Sequence, residues 1–231
     1  MAEKLKFRHE LKYYINYHDY YTLSAGLRDM IERDPHAGKN GEYTIRSLYF
    51  DDFDETALMD KMAGVMSRSK YRIRSYNYSD KVIRFEKKIK EGQYIAKKSI
   101  ALSRRECDRI LAGDCSFLLG REEPLAREIY LEIMLRQLKP VVYVDYEREA
   151  YIMDYETVRI TFDKNLRSAS PLVDMFDKSS PTVPICPPGM MVLEVKFMNT
   201  LPDYLRKFIA GMADNQRQAI SKYVSCRKYD R

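Results

Sequence analysis

Charged residues recur at every second position in seven stretches of the chain, and in most of them the positions between are apolar. The stretches are Arg8-x-Glu10-x-Lys12, Arg72-x-Arg74, Arg84-x-Glu86-x-Lys88, Lys97 within a short polar run, Tyr146-x-Arg148, Arg159-x-Thr161-x-Asp163 and Glu194-x-Lys196. The intervening positions hold Leu11, Tyr13 and Ile15; Tyr71 and Ile73; Ile83, Phe85 and Ile89; Val158, Ile160 and Phe162; and Leu193, Val195 and Phe197. Side chains two apart share one face of a strand. Each strand therefore carries one apolar face and one face of cations with an occasional carboxylate.

The pattern predicts strands at about 7–15, 43–50, 70–78, 82–90, 93–100, 141–149, 156–164 and 190–198. Tight turns at Ser79-Asp80 and Glu91-Gly92 join the third to fifth into a meander. Helical spacing at Leu23, Leu27, Met30 and Ile31 predicts a helix over 18–33, and a shorter one follows over 54–66. Ser103 with Glu106 forms a capping box that opens a helix to about Leu111. An amphipathic helix over 122–138 has Pro124 in its first turn, and 202–226 reads as helical with a break near Asp214. Runs of strands with inserted helices predict α+β architecture: one domain over residues 1–231, built on an eight-stranded antiparallel β-barrel with helices packed outside.

For one such strand, a polar face in water is the ordinary outcome. Two features of the set point elsewhere. The charged faces are dominated by Arg and Lys, and the helices suffice to cover the apolar faces. The cations would then line an enclosed concavity, and a closed sheet of about eight strands leaves room inside for one ligand. Filling that interior with cations is unfavourable unless an anion resides there. The expectation is a polyanion tunnel.

The net charge of +6, from 40 basic and 34 acidic residues, favours anionic partners without choosing among them. No run of 18 apolar residues exists and the first residues lack an apolar signal core, so a cytoplasmic protein without direct membrane insertion is expected. Cys107, Cys115, Cys186 and Cys226 form no C-x-x-C pair, which argues against zinc and fits reduced thiols. His9, His18 and His36 form no ligand pattern, and His9 alternates out of phase with Arg8 and Glu10. An exposed aromatic-basic platform or nucleic-acid motif is lacking, so nucleic acid is not an expected partner.

Arginine offers paired donors that match phosphate oxygens, which makes Arg72, Arg74, Arg148 and Arg159 candidates to grip successive phosphates. Lys12, Lys88, Lys97 and Lys196 supply point charges in the same phase. The carboxylates in phase with them are Glu10, Glu86, Asp163 and Glu194. A hard ion such as Mg²⁺ or Mn²⁺ bridges one or two carboxylates to substrate phosphates. Glu194, the lone acid of its strand face, is the first choice as ligand; the other three could equally be counter-charges for the basic residues. Ser221-Lys222-Tyr223 falls in a helix able to close one tunnel mouth.

These residues resemble the VTC domain, the catalytic core of polyphosphate polymerases, and the wider triphosphate tunnel metalloenzymes and CYTH-type phosphatases. The matching segments are Phe7-Arg-His-Glu-Leu-Lys-Tyr13, Arg46-Ser-Leu-Tyr-Phe-Asp51, Lys70-Tyr-Arg-Ile-Arg74, Phe85-Glu-Lys-Lys88, Tyr146-Glu-Arg148, Arg159-Ile-Thr-Phe-Asp163, Leu193-Glu-Val-Lys196 and Ser221-Lys-Tyr223. The resemblance implies an eight-stranded tunnel that binds ATP, triphosphate or polyphosphate with Mn²⁺ or Mg²⁺. It implies catalytic roles for Arg72, Arg74, Lys12 and Lys196. It implies phosphate binding by Lys88, Lys97, Arg148, Arg159 and Lys222 and metal binding by Glu194; Arg46, Ser221 and Arg8 are further candidates for phosphate, and Glu10, Glu86 and Asp163 for the metal. Lys87 and Lys98 leave the register of the central hairpin open, with phase favouring Lys88. The hydrolases' first strand reads E-x-E-x-K, whereas Arg8 here replaces the first acid, which favours a long phosphate polymer over hydrolysis of a small triphosphate. Without the SPX domain and membrane segments of the eukaryotic core, the chain is expected to be a free-standing version; a membrane-protein partner stays open. Phosphoryl transfer onto polyphosphate leads the functional readings, followed by triphosphate hydrolysis and by polyanion binding without catalysis.

Overall fold

The computed structural model describes residues 5–38, 40–213 and 218–228. Eight strands form one continuous antiparallel path. It runs from β1 (His9–Ile15) through β10 (Met191–Phe197), β8 (Val158–Ala169), β7 (Lys139–Met153), β3 (Glu42–Asp51), β4 (Ser67–Tyr76) and β5 (Ser79–Glu91) to β6 (Tyr94–Leu102). Two two-residue strands bring the sheet to ten: β2 (Glu32–Arg33) on β7 and β9 (Val183–Pro184) on β8. The sheet curls until its edges meet at one point, where Arg8 and Ile95 exchange two backbone hydrogen bonds of 3.0 Å. It is thus strongly curved and, among the described residues, joined by a single bridge, where the alternation alone suggests a closed eight-stranded barrel.

Among the described residues there are six α-helices: α1 (Tyr17–Met30), α2 (Thr56–Met62), α3 (Arg104–Leu111), α4 (Pro124–Arg136), α5 (Asp203–Ala213) and α6 (Lys222–Lys228). Outward-facing Phe50, Tyr71, Ile73, Phe85 and Tyr143 pack with Cys107 and Ile110 of α3 and Ile129 of α4. On the other side, Tyr13, Ile15, Ile160, Phe162 and Leu193 pack with Leu23 and Leu27 of α1 and Leu205 of α5. With both apolar faces covered, the charged faces are left to the inside. No helix among the described residues is long and apolar enough to cross a membrane.

Local chemistry explains the boundaries. Asn16 and Asp19 cap the start of α1 reciprocally, and Ser103 and Glu106 do the same for α3. The helix expected over 18–33 ends at Met30, because Ile31 turns extended and Glu32–Arg33 joins β7. Asp34 precedes Pro35, a position that disfavours helical backbone. The expected strand over 156–164 starts later, after a short 3₁₀ turn at Tyr155–Thr157, and runs on to Ala169. In the C-terminal segment, Gln218 extends away from helix and donates its backbone N–H to Lys12 at 3.1 Å. The expected break at Asp214 lies outside the described residues.

Arg46 corrects an expectation. In β3, Tyr43, Ile45, Ser47 and Tyr49 face inward, and Arg46 belongs to the outward set with Leu48 and Phe50. Its guanidinium is fully buried outside the tunnel. It donates to Asp145 at 2.7–3.1 Å and to the carbonyls of Asp174 and Asp177 at 2.9 and 3.0 Å. A residue expected to bind phosphate is therefore a buried tether between the barrel and the 174–177 loop. Asp145→Ala leaves that cation unpaired and should cost about 3–5 kcal/mol in urea unfolding, whereas Arg46→Met combined with Asp145→Leu should cost less. A double variant as unstable as the single one would assign the effect to the loop instead of the buried charge.

Candidate functional site

The inward faces enclose a cavity of about 410 Å³. Among the described residues its lining includes fourteen Lys and Arg side chains and two carboxylates, Glu10 and Glu194. The structure brings Arg8, Lys12, Arg72, Arg74, Lys88, Lys97, Arg148, Arg159, Lys196, Ser221 and Lys222 together there. Glu86 and Asp163 are fully buried against the cations and Arg46 stands apart. The hairpin register is settled: Lys88 and Lys97 point inward, and Lys87 and Lys98 pair outside with Glu128 of α4. Four lining cations were missed. Arg68 and Lys70 continue the phase of Arg72 and Arg74, and Lys90 that of Lys88, so longer reading frames would have found them. Lys61 comes from α2 and no strand alternation marks it.

Strand register sets the charge pattern. Glu194 stands opposite Lys12 on β1 and Thr161 on β8, while Lys196 stands opposite Glu10 and Arg159. Glu194 consequently meets Lys222 at 2.6 Å, Lys196 at 2.8 Å, Arg148 at 3.3 Å and Lys12 at 3.4 Å. Glu10 bridges Lys12 at 2.9 Å and Lys88 at 3.0 Å. Glu86 takes Arg72 and Lys97, each at 2.6 Å, with Arg74 at 3.9 Å. Asp163 receives both prongs of Arg148 at 2.6 and 2.7 Å and also Lys222. Arg72 donates to the Tyr49 hydroxyl at 2.8 Å, and Arg74 to Ser47 and Tyr146 at 3.1 and 3.2 Å.

Burial alone would raise all four carboxyls. Lys196, Lys222, Lys12 and Arg148 nevertheless hold Glu194 well below the usual range, and Lys12 and Lys88 do the same for Glu10. Arg148 and Lys222 lower Asp163, and Arg72 and Arg74 lower Glu86. The lysines divide. Lys222, between two acids, is raised despite its burial, whereas burial takes Lys88 down to about 7 and Lys196 to about 8. Lys70 is buried among Lys88, Arg68, Lys12 and Lys61 and falls well below its ordinary value.

The α6 segment forms one wall. Lys12 donates to the Ile220 carbonyl at 3.3 Å, Lys70 to the Ser221 hydroxyl at 3.5 Å, and Tyr223 stacks on Tyr49 with ring centroids 5.0 Å apart. A divalent ion fits this donor set in one way. Among the described residues no cluster of three acidic, His or Cys ligands exists, so the protein supplies no complete cage. Glu194 presents a carboxylate to the cavity, and the Thr161 hydroxyl at its register partner is buried without a hydrogen-bond partner. An ion could be held there by Glu194 together with phosphate oxygens, as magnesium commonly is.

The VTC domain model matches residues 7–229. A comparison with curated protein sequences finds no match. Among solved structures, a candidate adenylyl cyclase from Hippeastrum with dominant triphosphatase activity superposes with TM-score 0.57 at 13% identity, covering 96% of this chain and 95% of that chain. A candidate adenylate cyclase from Vibrio parahaemolyticus gives 0.53 at 13%, covering 96% and 98%. Another from Bacillus halodurans gives 0.52 at 16%, covering 90% and 89%. These likenesses show that this chain shares the fold of those three proteins.

Anion binding should take up protons. A lysine with a depressed folded pKa binds fewer protons than its unfolded form, so its contribution to stability grows as pH rises from the folded pKa towards 10.5. An anion beside Lys88 or Lys196 favours the ammonium and raises both values again. Titration with inorganic tripolyphosphate near pH 8 should therefore show a heat that depends on buffer ionisation enthalpy, with net proton uptake. Identical heats in two buffers of different ionisation enthalpy would contradict the depressed lysines.

Proposed function

The chain belongs to the VTC domain family, and on that premise we propose that it is a polyphosphate polymerase, moving the γ-phosphate of ATP onto a polyphosphate chain held in the tunnel. The observation that carries this reading is the enclosed cavity in which, among the described residues, fourteen cations face two carboxylates. Phosphoryl transfer asks a protein mainly for alignment and charge neutralisation, since the reacting oxygens belong to the substrates. Dispersed cations along a channel meet that need for successive phosphates.

Arg72 and Arg74 would hold the transferring phosphoryl group from β4, with Lys12 and Lys196 neutralising charge from the opposite strands. Arg148, Arg159, Lys88, Lys97, Arg8, Lys222 and Ser221 would align the neighbouring phosphates. The buried acids hold the forks in place: Glu86 orients Arg72, and Asp163 orients Arg148. A Mg²⁺ or Mn²⁺ ion held by Glu194 and phosphate oxygens would supply further neutralisation of the developing charge. A cytoplasmic setting, where ATP is abundant, accords with the four free cysteines.

Incubating the pure protein with ATP and Mn²⁺ and resolving products by chain length tests the reading. Polymer growth with ADP release is the expected outcome. Orthophosphate release alone would make this chain a hydrolase, in line with the triphosphatase activity of the Hippeastrum protein.

Glu194→Gln separates metal chemistry from anion grip. It removes the counter-charge shared by Lys12, Lys196, Lys222 and Arg148, so the ligand-free protein should melt at lower temperature. Tripolyphosphate affinity measured with chelator should rise, because one repulsive carboxylate is gone. Metal-dependent turnover should fall by about 100-fold or more, the scale of a lost charge-stabilising ion. Normal turnover in the variant would pass the metal role to another acid.

A further inference from the structure

Three lysines stand in a row across the sheet. Lys70 of β4 is opposite Lys88 of β5, which in turn is opposite Lys97 of β6. Like charges placed directly across a ladder repel. Two of the three find a carboxylate: Lys88 meets Glu10 at 3.0 Å and Lys97 meets Glu86 at 2.6 Å. Lys70 makes no ion pair among the described residues. Asp51 follows the last β3 residue paired with β4, but it is occupied by the Tyr223 hydroxyl and by the backbone N–H groups of Ala57 and Leu58 that open α2.

Lys70 lines the cavity and is half-buried there. Its nitrogen lies 3.5 Å from the Ser221 hydroxyl and 4.3 Å from the centroid of the Tyr223 ring, both on the α6 wall. The charges that act on it most strongly are cations: Lys88 on β5, Arg68 on its own strand, Lys12 on β1 and Lys61 on α2. Burial and these neighbours hold its pKa well below the ordinary value. An ordinary lysine near pH 7.5 is a neutral amine in about one molecule in a thousand, and Lys70 is neutral far more often. A desolvated lysine beside other cations is the form in which this side chain acts as a nucleophile. The same cations would hold a phosphate group within the cavity.

We propose that Lys70 is an acylation site: its amine takes the acyl group of small acyl phosphates held in the cavity by their phosphate, and the modified tunnel grips polyanions less tightly. The inference needs an anion-collecting cavity and does not need the transfer reaction proposed above. The lone pair of the nitrogen forms the new bond to the acyl carbon. The bond from that carbon to the phosphate oxygen breaks, and its electron pair leaves on inorganic phosphate. The proton shed by the nitrogen goes to the departing phosphate, so the products are an amide and hydrogen phosphate. Acylation removes the charge of Lys70 and sets an acyl group into a cavity of about 410 Å³. Lys222 is the internal contrast. Held between Asp163 and Glu194, it stays an ammonium and has no lone pair to offer.

The test incubates the whole protein with acetyl phosphate near pH 7.5 and maps acetyl-lysine by peptide mass spectrometry. Lys70 should be modified at least about tenfold more than Lys222 and than the exposed Lys178 and Lys207. Inorganic tripolyphosphate should suppress modification of Lys70 about fivefold or more and leave Lys178 and Lys207 within about twofold, because it occupies the cavity alone. Calorimetry should then show that the treated protein binds tripolyphosphate about tenfold more weakly, the scale of one lost charged hydrogen bond. Lys70→Arg keeps the charge without the amine, so the same treatment should change its affinity by no more than about twofold. Modification of Lys70 no greater than that of the exposed lysines, or unmoved by tripolyphosphate, would overturn the site and leave the tunnel reading standing. An equal loss of affinity in treated Lys70→Arg would overturn the effect on grip. If the untreated protein does not bind tripolyphosphate, the acylation site and the tunnel reading fall together.

Discussion

Like charges crowded into an enclosed space repel, and this repulsion governs the rest of the structure. Two cations about 6 Å apart at an effective dielectric near 20 repel by about 3 kcal/mol. The fold relieves this locally with four buried carboxylates, Glu10, Glu86, Asp163 and Glu194, each shared by two or more basic groups. The relief is partial. The depressed Lys70, Lys88 and Lys196 are the residue of repulsion and burial that no carboxylate cancels. An anion placed beside these lysines would favour their charged form and relieve what the carboxylates leave.

The architecture follows from keeping those charges apart from the apolar surface. A strand can separate the two only by alternating them, and a sheet can enclose the charged side only by curling. Helices α1 and α5 cover one outer flank and α3 and α4 the other, so the hydrophobic cores lie outside the sheet. A further cluster within the curl joins Tyr49, Val144 and Tyr146 to Tyr223 and Cys226 of α6. It anchors α6 as a wall, which delivers Lys222 to Asp163 and Glu194. The same carboxylates that would meet a metal therefore also hold the C-terminal helix in place.

Among the described residues the lining is uneven: the middle holds cations paired with carboxylates, whereas Lys61, Arg68, Lys70 and Lys90 towards one end make no ion pair. The physical origin of this unevenness is the offset of strands around the curl. Residues at the start of β3 and the end of β4 meet one opening, and residues at the start of β4 and the end of β5 meet the other.

Much of this was legible along the chain, because a strand's two-residue period ties sequence parity to the side of the sheet. Parity assigns Arg72, Arg74, Arg148, Arg159, Glu194 and Lys196 to one face, chooses Lys88 over Lys87, and turns His9 outward, where it stacks on Phe197. Parity is silent where both faces are apolar. In Tyr43–Phe50 only Arg46 is charged, so nothing nearby marks it as outward-facing until Asp145 of the neighbouring strand is seen to receive it. Nor can it register a cation delivered from a helix, as Lys61 is, or tell a carboxylate that meets a ligand from one consumed by arginine, as Glu86 and Asp163 are. The residue types and their alternation determined that a cation-lined interior would form. Which side chains share it, which are paired and which mouth each reaches were decided by tertiary structure, because Coulomb interactions depend on distance in space and not on separation along the chain.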